Sequence, residues 1–259
     1  MKTITNSCTI LLLLLLCRCA NDSASCSYRE GTLHATDGLC FPKVEDAYTY
    51  PVAPGMEEWQ TSGDVFELVQ LPGHVLNTIS TLGLIDALVQ SPLFAGYYQP
   101  SGSTPIATWH RHYGRFNCAT ELFRRDDAGK ALITYYRSIR MNCIESSAAE
   151  ENPGQLGAYE RVFGLEFLFT RQEILNKIGH VDKQALVDAL LATYERQPER
   201  WMKLIPMSFI MMNDQYPPME KYYLENIDLY ERSIAFGYIV SIKQSDQILS
   251  LANRFITKK

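Results

Sequence analysis

Two histidines two residues apart are the first place where side chains could act together. They are His110 and His112 in WHRHYGRF, residues 109–116. Side chains at that spacing share a face on a strand but lie about 200° apart on a helix. The flanking IATW and NCATELF read as helix, so the pair is not expected to hold one metal ion. The His-Glu-x-x-His pattern of a zinc helix is absent as well. The expectation is two separate histidines, exposed or capping, and no bound metal.

A second concentration is methionine. Met202, Met207, Met211, Met212 and Met219 are five of the chain's eight, and all fall between 202 and 219. Thioethers fill irregular gaps in a core, form adaptable binding surfaces, and can hold copper(I). No histidine lies among them, which weakens the copper reading. Met207 and Met211 share a helix face. Of the tyrosines, 15 in all, six stand in adjacent pairs at 97–98, 135–136 and 222–223. On a helix such a pair sends one ring inward and one outward, and outward aromatics suit interfaces. Core packing is the leading reading of both groups; the alternative, a candidate interaction surface, is Met207, Met211, Met212, Tyr216 and Tyr98.

Enzyme signatures are missing. There is no Gly-x-Ser-x-Gly elbow, no Walker loop and no dinucleotide fingerprint, so no cofactor is expected. Glycosidase chemistry needs two carboxylates facing across a cleft, and sequence alone does not pair them. Cys118 with a histidine could imitate a thiol hydrolase, but no family signature surrounds it. No catalytic residue is assigned.

The N-terminus reads as an export signal. An uncharged apolar run spans Ile10 to Leu16, after Lys2. Seven residues suit a signal-peptide core, whereas a spanning helix needs about 20. Cleavage after Cys19 or after Ser25 would release a soluble protein. Lipidation of a cysteine, with Cys26 in the best local context, would tether it. The segments are then a signal peptide at 1–25, an irregular lead-in at 26–55, and one all-helical domain at 56–259. The location implied is the periplasm or the cell surface.

Four cysteines remain after export: Cys26, Cys40, Cys118 and Cys143. An even number in an exported chain suggests disulfides, with three pairings open. The local one, Cys26–Cys40 with Cys118–Cys143, would staple the lead-in. The chain has 259 residues, net charge −5, 46% hydrophobic and 20% charged residues. That describes an ordinary globular protein, and no basic cluster suggests nucleic acid.

The elements that must position these residues are helices. Ser80 or Thr81 can cap one, with Leu84, Ile85 and Leu88 on a face. Asp126 caps a second and Asp182 a third. From Met219 onward two helices are expected, split near 243–246. No segment alternates like a β-hairpin. LIDALV at 84–89 resembles LVDALL at 186–191, and helix pairs at roughly 40-residue steps would stack as an α-solenoid.

Residues 49–98 carry a recognisable pattern: Pro51, Pro54, Gly55 and Trp59, then Gln70 and Pro72, then Leu76, Ser80, Thr81, Pro92 and Leu93. This stretch resembles a group of uncharacterised exported bacterial proteins, and more weakly the likeness runs to about residue 195. The resemblance implies an all-helical fold and export, and it supplies no catalytic residue. The combined expectation is an exported all-α protein that binds a protein or peptide partner, with no nucleic acid and no membrane contact beyond a lipid anchor. The rival is a hydrolase of envelope or glycan substrates. A purely structural envelope role is the third reading.

Overall fold

A computed structural model describes residues 33–36, 39–94, 105–140, 153–194, 204–227 and 242–257. Side chains are described in all of these except 33–40, 105–108, 153–160 and 242–243. The first element is an antiparallel hairpin, β1 (Leu33–Thr36) and β2 (Leu39–Pro42), with Thr36 opposite Leu39 and Leu33 opposite Pro42. This corrects the expectation of an irregular, strandless lead-in. Strands of four residues are too short for alternation to stand out. The signal that marks them is the intervening Asp37-Gly38, a dipeptide that hairpin turns favour.

The rest of the described chain is helical. After α1 (Glu57–Thr61) and a 3-10 turn (Glu67–Val69) come α2 (Gly73–Thr78) and α3 (Thr81–Gln90). Then follow α4 (Pro105–Tyr113), α5 (Asn117–Arg124), α6 (Ala128–Ser138) and α7 (Pro153–Leu168). The last are α8 (Gln172–Leu175), α9 (His180–Tyr194), α10 (Leu204–Asn213), α11 (Pro217–Glu225) and α12 (Ile242–Thr257). The all-α class holds. Three boundaries move. Asp127, not Asp126, stands at the start of α6, and its side chain makes no capping bond. Asp182 sits inside the first turn of α9, where a carboxylate complements the helix dipole, instead of capping it. Residues 243–246 lie within α12, so no helix break falls there.

α3 is the centre. Thr81 and every residue from Gly83 to Val89 are buried. α5, α6 and α7 all pack against it. This packing is compatible with stacked helix pairs. A second group, α9, α10 and α11, packs on α12, and α6 and α8 connect the two groups. A single apolar core joins them, and it includes Phe41 and Val44 from the lead-in.

The described methionines of the cluster pack in or against this core, and Met202 lies outside the described residues. Met207, Met211 and Met219 are fully buried, Tyr216 is buried, and Met212 is only partly accessible. These residues do not form the exposed interaction surface that was the alternative to core packing. α10 is apolar all round, with Leu204, Ile205, Met207, Ile210 and Met211 buried together, because α9, α11 and α12 enclose it. Tyr98 lies outside the described residues.

Helix ends inside such a core leave backbone groups that need partners. Three cations from distant parts of the chain supply them. Arg125 donates to Leu76 O and Ile79 O, both at 3.2 Å, at the end of α2. Lys177 donates to Phe123 O at 2.7 Å and Arg125 O at 2.8 Å, at the end of α5. Arg161 donates to Val89 O and Ser91 O at the end of α3.

Replacing Lys177 with Met keeps the stem and removes both bonds. The Phe123 carbonyl loses this donor, while the Arg125 carbonyl keeps the Ala128 N–H at 3.2 Å; leaving a shielded carbonyl without its partner costs about 1–3 kcal/mol. Lys177→Met is therefore expected to lower unfolding free energy by about 2 kcal/mol or more, measured by urea denaturation. Lys221→Met, at an exposed pair with Glu225, is expected to change it little.

Candidate functional site

A cleft of about 570 Å³ opens between residues 42–46, at and after the end of β2, and the exposed side of α6. Its back is the start of α3, through Ser80 and Leu82. Thr134, Tyr135 and Ser138 form the α6 wall, and Lys43, Glu45 and Asp46 face them. Thr134 and Ser138 are one helical turn apart and therefore point the same way.

Asp46 fixes the geometry. Its Oδ2 accepts the Ser80 N–H at 2.5 Å and its Oδ1 accepts the Ser80 hydroxyl at 2.8 Å. Ser80 Oγ in turn accepts the Gly83 N–H at 3.0 Å, which caps α3. Gly83 has to be glycine here. A Cβ would stand 2.7 Å from Asp46 Oδ1 and 2.5 Å from Ile79 Cγ1. On the opposite wall Thr134 Oγ1 donates to Lys130 O at 2.9 Å, and Ser138 Oγ donates to Thr134 O at 2.8 Å. Tyr135 OH donates to the buried Asp86 Oδ1 at 2.9 Å. Burial, with the Asp86 charge adding to it, raises the Tyr135 pKa well above its ordinary value and keeps that hydroxyl protonated.

The other carboxylate with a tyrosine partner is also internal. Tyr136 OH donates to Glu166 Oε1 at 2.7 Å and lies 3.1 Å from Thr193 Oγ1. Asp86 and Glu166 are both buried, so neither faces the cleft.

His110 and His112 are held separately. His110 Nε2 lies 2.8 Å from Thr170 Oγ1, whose own proton goes to Phe167 O. His110 must therefore carry its proton on Nε2. His112 Nε2 sits 3.2 Å from Leu93 O, and its ring packs edge-on against Trp109, Phe66 and Phe116. Burial lowers both pKa values to about 4.

One pairing was not legible from sequence. His180 at the start of α9 has Nδ1 2.5 Å from Asp214 Oδ2, and Lys183 Nζ is 3.5 Å from Asp214 Oδ1. The next residue, Gln215, has φ +52°, an uncommon conformation for a non-glycine residue. A carboxylate on Nδ1 orients a histidine for proton transfer through Nε2. His180 does not line either cleft described here, and its ring edge packs on Phe255. The contact joins α9 to the turn after α10. A smaller cleft of about 280 Å³ lies between α11 and α12, beside Lys221, Tyr222 and Arg254.

The cysteine expectation changes. Cys118 is a free thiol, fully buried on α5. The Cys118–Cys143 pairing is therefore not formed, because the core closes around that side chain. Burial pushes its pKa up to about 12, which also removes the thiolate that a hydrolase would need. Cys26, Cys143 and the side chain of Cys40 lie outside the described residues. Among the described residues no three His, Cys, Asp or Glu side chains gather as a metal site, and no helix is long and apolar enough to cross a membrane.

No family model matches the chain, and no match was found among curated proteins or solved structures.

Two outcomes follow from the buried groups. The folded state refuses a proton on His112 that the unfolded chain accepts below pH 6.5. Stability is therefore full above that pH and falls as pH drops toward 4, by about 3 kcal/mol for this histidine. Denaturation midpoints at pH 7.0 and 4.5 are expected to differ less in His112→Gln than in the wild type. The Cys118 peptide is expected to resist alkylation in the native state and to be labelled on unfolding without reductant. Labelling that requires reductant would mean a disulfide at Cys118.

Proposed function

We propose that this chain is an exported interaction protein of the cell envelope, in the periplasm or at the surface, and that it holds a peptide segment of a partner in the cleft beside α6. The observation that carries this reading is the cleft itself. At about 570 Å³ it falls in the size range of ligand sites, and its walls are fixed before any ligand arrives. The Asp46–Ser80–Gly83 bonds tie the 42–46 segment to α3. A preformed site lowers the ordering cost of binding.

The same bonds count against the hydrolase reading. Asp46 is the carboxylate at the back of the cleft, and both of its oxygens already accept hydrogen bonds from Ser80. Asp86 and Glu166 are buried against tyrosines. Glu45 and Asp46 are adjacent in the chain and line the same wall, whereas glycoside hydrolysis uses two carboxylates that face each other across a cleft.

Thr134 and Ser138 are exposed, so tyrosines there would fill the cleft without disturbing the core. Peptides selected on the immobilised wild type from a random heptapeptide display are expected to lose about tenfold or more in affinity for Thr134→Tyr/Ser138→Tyr, measured by calorimetry. The circular dichroism spectrum should not change. Equal binding to both proteins would sink the proposal.

A further inference from the structure

The hydrogen-bond polarity of this cleft narrows what can enter it. Every side-chain hydroxyl in its wall has already given its proton to the protein. Ser80 donates to Asp46, Thr134 to Lys130 O, Ser138 to Thr134 O and Tyr135 to Asp86. An ionised carboxylate has no proton to give, and the wall holds two, Glu45 and Asp46, against the one ammonium of Lys43. The wall therefore offers lone pairs far more than donors. The cleft lies at the C-terminal, negative end of α6, while the positive N-terminal end of α3 at its back is already answered by the Asp46 carboxylate on the Ser80 N–H.

We infer that the cleft selects a cationic donor, and that its ligand is a peptide presenting a Lys or Arg side chain to Thr134, Ser138 and Glu45. This rests on the peptide-binding reading and adds the charge of the peptide. An ammonium carries three donors and a guanidinium five, with no acceptor on either. An acidic side chain would meet lone pairs facing lone pairs. A neutral apolar one would leave the hydroxyls and Glu45 desolvated and unpaired.

The test is an NMR titration of the isotope-labelled full chain with host heptapeptides, Gly-Ser-Gly-X-Gly-Ser-Gly, acetylated and amidated. X is Lys, Arg, norleucine or Glu. Lys and Arg peptides are expected to shift resonances at 42–46 and 134–138 and to bind about tenfold tighter than norleucine. Thr134→Val keeps the shape and removes an acceptor, and Glu45→Gln removes the charge. Each should weaken Lys binding several-fold and strengthen norleucine binding, because fewer polar groups are then left unpaired, so most of the Lys advantage closes from both sides. Norleucine or Glu binding as tightly as Lys would overturn the inference and leave the peptide reading standing. Spermidine binding more tightly than the Lys peptide would overturn a peptide as the source of the cation. If no peptide shifts the cleft resonances, the peptide reading itself fails.

Discussion

The fold depends on satisfying helix ends that are packed against one another. Each α-helix leaves carbonyls unpaired at one end and N–H groups at the other, and in a core no water reaches them freely. Here the partners come from far along the chain. Arg125, Arg161 and Lys177 each close a helix that ended earlier in the sequence, so the later helices hold the earlier ones in place. The donor ends follow the same logic. Thr81 in the first turn of α3 bonds Asp127 before α6. Asn117 at the start of α5 exchanges two hydrogen bonds with Leu71, and Gln70 accepts the Asn117 N–H. Such links fix how helices stack, because a shift of one residue would break several at once.

The cleft is a by-product of one of these links. Asp46 comes from the lead-in and seals the start of α3, which pulls the 42–46 segment across the helix end. The segment stands off from α6 there, since Thr134 and Ser138 present short side chains. Tyr50 anchors the other end of this crossing by donating to Ala87 O at 2.9 Å. The lead-in is therefore part of the structure that makes the site, and the division at residue 55 does not mark a physical boundary.

Some of this was legible in the sequence. The Ser80 cap and the apolar stripe of α3 are local, and local rules found them. Two residues of the pattern at 49–98, Gln70 and Ser80, make the links just described. The hairpin was missed because its strands are short. The methionines read first as core, which their burial bears out, but spacing shows only which residues share a face and not what covers it, so Met207 and Met211 also stood as surface candidates. The site was harder still. Asp46 and Ser80 are 34 residues apart, and Tyr135 and Asp86 are 49 apart. The Ser80 cap and the back-bonding of Thr134 and Ser138 to the preceding turn follow local rules, and those rules say nothing of a cleft.

The two similar hexapeptides show the limit most clearly. LIDALV in α3 and LVDALL in α9 place an aspartate at the same point of the same pattern. In α3 three helices enclose that position, and Asp86 is buried with Tyr135 as its donor. In α9 the matching Asp188 is exposed. A buried carboxylate is tolerable only with a hydrogen-bond donor beside it. Tyr135 supplies that donor, and so its hydroxyl is unavailable to the cleft on its other side. The chemistry of the site thus follows from what the core behind it requires. The same hexapeptide without a tyrosine across from it would leave both the core and the cleft different.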